Sequence, residues 1–121
     1  NCAQAVACSF CQEFGIDENE MFRIAEGFGL GMGVMEMCGA LSGMAMIIGL
    51  SNSRGNTEEG SGSKGDTYKK LRTYIQKFKE KNGSCICREL KGVETGKVLC
   101  SCPQCITDAV ALTEEYLAEN R

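Results

Sequence analysis

Histidine is absent from all 121 residues. Its absence removes the usual general base and the commonest nitrogen ligand for a metal. Other catalytic signatures are missing too. There is no GxSxG and no phosphate-binding loop, and the glycine run GFGLGMG at 27–33 is not GxGxxG. No period-2 strand precedes that run, so a dinucleotide site is not expected. No segment combines a basic start, an apolar run and a small-residue cleavage site, as a secretory signal would. Proline occurs once, at Pro103, so little in the chain interrupts helices.

What the chain has in excess is sulfur. Nine cysteines stand at Cys2, Cys8, Cys11, Cys38, Cys85, Cys87, Cys100, Cys102 and Cys105. At 13.1 kDa and 43% hydrophobic residues the chain can bury its own core, so it does not depend on disulfide staples. The odd count also forbids a fully paired monomer. A reducing cytoplasm is therefore the expected location, although a first residue Asn1 in place of methionine leaves room for a removed leader.

Net charge is −3 and unevenly spread. Residues 1–50 hold six acids and the single base Arg23, whereas 67–81 hold Lys69, Lys70, Arg72, Lys77, Lys79 and Lys81 against Glu80. The simple reading is a solvated basic helix face; the sharper one is a docking patch for an acidic redox partner or a neighbouring subunit. Nucleic acid is not expected, because the chain is acidic overall and has neither zinc-finger spacing nor an aromatic platform beside the lysines.

Periodicity predicts an all-α single domain over 1–121, a bundle of about five helices with a glycine-rich turn and cysteine-rich loops. A first helix covers 2–14 and stops at Gly15. A second opens at Asp17, with Glu20 in capping-box register, and buries Met21, Ile24, Ala25 and Phe28. GFGLGMG is read as an irregular turn, followed by a helix from about Val34 to Gly49. Residues 51–66 read as a flexible loop. Helix 67–82 shows Leu71, Tyr74, Ile75 and Phe78 on one face and ends at Gly83. Residues 84–102 are expected to be loops, and a last helix runs from Pro103 to about Glu119 over Ile106, Ala109, Val110, Thr113, Tyr116 and Leu117.

The stretch 27–50 has one charge, Glu36, and Gly39-x-x-x-Gly43 has the small-residue spacing of packed membrane helices. Its alternating glycines break any span at the start, and the apolar run left after them is too short for a bilayer. A central helix buried by its neighbours, with close approach at the glycines, is the expectation.

Cys38 falls just after the glycine turn and near a helix start, where free amides and the helix dipole favour a thiolate, a cluster sulfide or a metal-bound sulfur. Cys102-Pro-Gln-Cys105 is a CxxC entering a helix, a setting shared by dithiol oxidoreductases and by zinc or iron–sulfur ligation. Without a βαβ unit it is not a thioredoxin. Cys85-x-Cys87 and Cys100-x-Cys102 are too close to bond internally and suit partners from elsewhere. Cys8 and Cys11 share a helix face, and one of them is as readily core as functional.

Together Asn1-Cys2-Ala-Gln-Ala-Val6, GFGLGMG at 27–33, CGALSG at 38–43, CREL at 87–90 and Cys102-Pro-x-x-Ile-x-Asp-Ala109 resemble the redox-active C_GCAxxG_C_C family over nearly the whole chain. Such proteins usually carry a helix before the first cysteine, so this chain starts inside the pattern. The resemblance implies a site at Cys2, Cys38, Cys87 and Cys102, catalytic or ligating, with backbone amides at Gly31, Gly33 and Gly39 tuning the sulfurs. Cys8, Cys11, Cys85, Cys100 and Cys105 are outside the family signature. A related domain in a split-Soret type cytochrome, assigned an iron–sulfur centre, brings that cofactor into view. Two chemistries meet the pattern: an iron–sulfur cluster passing single electrons, or thiols cycling with disulfides, with Cys38 or Cys102 attacking. The alternatives are a non-redox site for zinc or copper(I) held by thiolates, and a structural domain stapled by disulfides. The implied partner is a redox protein, and a homodimer with a cysteine-lined site between subunits is compatible with the same pattern.

Overall fold

The computed structural model describes residues 1–60 and 62–120. Ser61, inside the expected 51–66 loop, and Arg121 lie outside the described residues. The protein is all-α, with helices α1 (Cys2–Phe10), α2 (Glu18–Ala25), α3 (Gly39–Asn52), α4 (Lys64–Asn82), α5 (Cys87–Lys91) and α6 (Cys102–Glu119). Short 3-10 turns extend α1 over Cys11–Phe14 and α2 over Glu26–Phe28. Among the described residues there is no strand, only isolated bridges Met37–Ile86 and Asn56–Gly60.

The caps follow the local chemistry. Asn1 Oδ1 accepts the Gln4 amide at 2.9 Å, and Gln4 Oε1 accepts from the Asn1 nitrogen at 2.7 Å, a reciprocal box that starts α1. Asp17 Oδ2 accepts the Glu20 amide at 3.0 Å and Ser101 Oγ the Gln104 amide at 3.3 Å. Gly15 and Gly83 close their helices with left-handed φ of 69° and 84°, where the sequence places the stops.

Helix α3 is the hub, packed by α1, α4 and α6. Leu41, Met44, Ile47 and Ile48 are 0–1% exposed. Burying each such side chain is worth about 1.5–3 kcal/mol. Tyr74 and Tyr116 meet edge to face at 5.5 Å between α4 and α6, and Tyr116 Oη donates to Ser51 Oγ. Ala3, Ala7, Cys11, Met21 and Ala25 make a smaller core between α1 and α2.

The small-residue spacing in α3 serves contact inside the bundle. A Cβ at Gly43 would stand 2.7 Å from Ala3 O and 2.9 Å from Val6 Cβ, so α1 and α3 meet backbone to backbone there. No helix is long and apolar enough to cross a membrane among the described residues.

Four expectations are corrected. Helix α3 starts at Gly39, not Val34, because Leu30, Gly31, Met32, Gly33 and Met35 all have positive φ, which no helix start accommodates. Ile24 is 58% exposed, since the eight-residue α2 buries only Met21 and Ala25. The 84–102 stretch contains a helix, α5, making six in all among the described residues. The loop after α3 is shorter than expected, because α4 begins at Lys64. The basic stripe of α4 is partly committed internally: Lys77 donates to Glu115, and Lys81 Nζ lies 2.6 Å from buried Asp108 Oδ1.

Candidate functional site

Four helices begin at a cysteine. Cys2 is the first residue of α1, Cys38 the N-cap of α3, Cys87 the first residue of α5 and Cys102 the first residue of α6. Helix starts carry unpartnered amides and the positive end of the dipole, which favour sulfur as thiolate. These four ends meet around one cavity of about 300 Å³, walled by all four cysteines together with Cys100, Cys105, Gly39, Leu30, Leu90 and Lys91.

Backbone pairing brings the distant segments into register. The Cys38 amide donates to Cys85 O at 2.9 Å, and the Cys87 amide donates to Glu36 O at 2.6 Å. This strap sets Cys38 beside Cys87 and explains the CxC spacing: Cys85 supplies its carbonyl while Cys87 supplies its sulfur. Gly31 (φ +55°) is buried behind it, where a Cβ would stand 2.5 Å from Glu36 N and 3.0 Å from Cys87 Cβ. Leu99 and Cys100 both donate their amides to Leu90 O, at 2.9 and 3.2 Å, which pins Cys100 beneath α5. Asp108 anchors the start of α6 through Lys81, Gln104 Nε2 (2.8 Å) and Asn82 Nδ2 (3.2 Å). Burial pushes its carboxyl up, but these donors prevail and hold it below the ordinary carboxylate value.

The sulfurs differ in acidity. A hydrogen bond from the Cys105 S–H lowers Cys38 to about 6 against burial, helped by the amides of Ala40 and Leu41 at the start of α3. Donating that proton, and being buried, holds Cys105 far above the ordinary thiol range. Burial pushes Cys2 up to about 11, and the sulfurs of Cys102 and Cys38 add to this. Burial also raises Cys87, opposed by the Lys91 ammonium, and Cys100, opposed by a hydrogen bond from Cys105. One acidic thiol therefore sits beside the raised thiols of Cys2, Cys87, Cys100 and Cys105.

Cys2, Cys38, Cys87, Cys102 and Gly39 stand in the cavity wall. Gly31 packs behind Cys87, and Gly33 is exposed and no part of the wall. The amides that serve Cys38 belong to Ala40 and Leu41, not to the glycine turn. Cys8 and Cys11 lie on the α1 segment away from the cavity, where Cys8 Sγ donates weakly to Glu18 O and Cys11 Sγ to Cys8 O. Cys100 and Cys105 join the wall although the family signature omits them. The legible signal was the CxxC at 102–105, whose i, i+3 spacing puts both sulfurs on one side of α6.

The donor set, all thiols, suits soft metals and iron–sulfur chemistry. Among the described residues no group of three or more Cys, Asp or Glu is disposed to hold a metal ion. None of the nine cysteines is in a disulfide.

A family model described as "Putative redox-active protein (C_GCAxxG_C_C)" matches residues 1–116. No curated protein and no solved structure gives a match to this chain.

Proposed function

Because the chain belongs to the C_GCAxxG_C_C family of redox-active proteins, we propose that it works by dithiol–disulfide exchange, with Cys38 as the attacking thiolate. The observation that carries this reading is the placing of Cys38, which caps α3 beside the Cys105 thiol and the Ala40 and Leu41 amides that lower it to about 6, among five further sulfurs at one cavity. The thiolate is the form that attacks a disulfide sulfur.

Access divides the labour. Cys102 is exposed at the mouth and Cys2 hydrogen-bonds to it, whereas Cys38 is only 5% exposed. A disulfide on a partner protein can reach Cys102. Exchange there reduces the partner's disulfide to two thiols and leaves a Cys2–Cys102 disulfide, so two electrons pass to the partner. Cys38 then attacks this outer disulfide from inside the cavity. The direction reverses with a reducing partner. Nine cysteines, an odd count in a chain able to bury its own core, suit thiol chemistry better than staples, and the cytoplasm is the proposed location.

An iron–sulfur cluster on Cys2, Cys38, Cys87 and Cys102 is the second reading, supported by the meeting of these four cysteines at one cavity. Such a cluster would supply single-electron transfer.

The test of the leading reading is a pair of variants. Cys38→Ser is expected to confine reversible exchange with a disulfide oxidant to the two thiols of the outer Cys2–Cys102 pair, as read by thiol counting, while Cys8→Ser keeps the full exchange. Loss in Cys8→Ser with retention in Cys38→Ser would overturn the assignment.

A further inference from the structure

The six cavity cysteines fall into two layers. Cys2 and Cys102 form the outer one, sulfur hydrogen-bonded to sulfur at the mouth. Cys38, Cys87, Cys100 and Cys105 form the inner one, only 5%, 8%, 5% and 3% exposed. Within it the Cys105 thiol faces both Cys38 and Cys100, and its Sγ lies 3.8 Å from Cys100 O. Its S–H has Cys100 O as a long acceptor and is drawn to Cys38 when that sulfur is charged, because hydrogen bonds to ions are the stronger ones. Helix α6 creates the layering: Cys102 opens it at the mouth, and Cys105, one turn later, lies buried against the core. Cys87 is raised by the charge of Cys38 and not by a hydrogen bond to it.

Resting on the dithiol reading above, we infer that Cys105 is the resolving thiol for Cys38, and that a buried Cys38–Cys105 disulfide is formed and reduced through the outer Cys2–Cys102 pair. The exchange balances. The Cys38 thiolate attacks Cys102 Sγ of the outer disulfide; the Cys38–Cys102 bond forms, the Cys2–Cys102 bond breaks, and Cys2 leaves as thiolate. Cys38 has now lost the charge that held the Cys105 proton. That proton passes to Cys2, whose buried sulfur favours the neutral form. Cys105 then attacks Cys38 Sγ and expels Cys102 as thiolate. Two electrons have moved from the inner pair to the outer pair, and one proton from Cys105 to Cys2. The net charge is unchanged. A buried store of this kind is shielded from adventitious thiols, and only a partner able to act on Cys102 can fill or empty it.

The experiment maps disulfides in the whole protein. Fully reduced protein is treated with one molar equivalent of diamide, quenched in acid, alkylated, digested and sequenced by tandem mass spectrometry. Fragmentation must separate Cys100, Cys102 and Cys105, which share the tryptic peptide 98–121. The expected link is Cys38 to Cys105. With excess diamide the Cys2–Cys102 link should appear as well, and Cys105→Ala should lose the inner link and keep the outer one. Cys38 linked at completion to Cys87, Cys100 or an outer cysteine, with Cys105 still free, overturns the inference and leaves the dithiol reading standing. Cys38 in no disulfide at all overturns both. The wild-type map decides the matter whether or not the alanine variant folds.

Discussion

At the scale of single residues the site is a contest for protons. Cys38 is as buried as Cys100, and burial alone would raise both. The donors around it reverse the sign: Cys105 first, then the Ala40 and Leu41 amides, outweigh desolvation. Cys8 and Cys11 are left with burial as the leading influence, and it raises them. Because the thiolate is the reactive form, alkylation of Cys38 should speed up as pH rises, with a midpoint of about 6 where an unperturbed thiol would give 9.0. The rate is read with iodoacetamide on peptide 24–54, which holds no other cysteine. A midpoint in the ordinary thiol range would mean that the α3 terminus and Cys105 do not act on this sulfur.

At the scale of elements the decisive contact is α1 against α3. Two glycines of α3 make opposite predictions. At Gly43 a methyl would strike Ala3 O at 2.7 Å, and a backbone atom cannot step aside by changing rotamer. Overpacking costs about 1–3 kcal/mol, against a helix-propensity gain of about 1 kcal/mol, so Gly43→Ala should lower the melting temperature. At Gly49 nothing lies within 4 Å of the place a methyl group would occupy. There the propensity gain of about 1 kcal/mol acts alone, and Gly49→Ala should raise the melting temperature. Thermal unfolding followed by circular dichroism checks both; equal shifts of the same sign would contradict the packing described. The same helix shows where periodicity stops being informative. Apolar residues run from Val34 into α3 with only Glu36 between them, so the pattern extends the helix too early. The true start is set by the strap of 36–38 against 85–87 and by left-handed backbone at 30–35, and the strap depends on a segment far along the chain.

At the scale of the whole molecule, six of nine cysteines gather at one place from separate segments of the chain. This arrangement is far more than one disulfide requires, and it allows the two readings to be separated by composition. Protein purified without oxygen is expected to be colourless, to lack stoichiometric iron, zinc, copper and sulfide, and to lose thiols reversibly on oxidation. Brown protein with iron and sulfide in fixed ratio would select the cluster instead. The charge distribution belongs to this scale as well. Lys77 and Lys81 tie α4 to α6, so a charge-reversal test for partner docking belongs on exposed Lys69, Arg72 and Lys79. Reversing these three is expected to weaken binding to an acidic redox partner, measured by titration at low salt, with the melting temperature held.

The sequence by itself determined the helical class, the cap at Asp17, the helix start at Pro103, the stops at Gly15 and Gly83, and the family motif with its four cysteines. These are local properties: propensity, capping and spacing act over a few residues, and they can be read within a few residues. Only the tertiary structure decided which cysteines share a cavity, that Cys100 and Cys105 belong with the four, that Cys8 and Cys11 do not, and which thiol is acidic. Those outcomes depend on which helix ends converge, how deeply each sulfur is buried and which neighbour donates to it. Such relations exist only once chain segments distant in sequence are packed against one another.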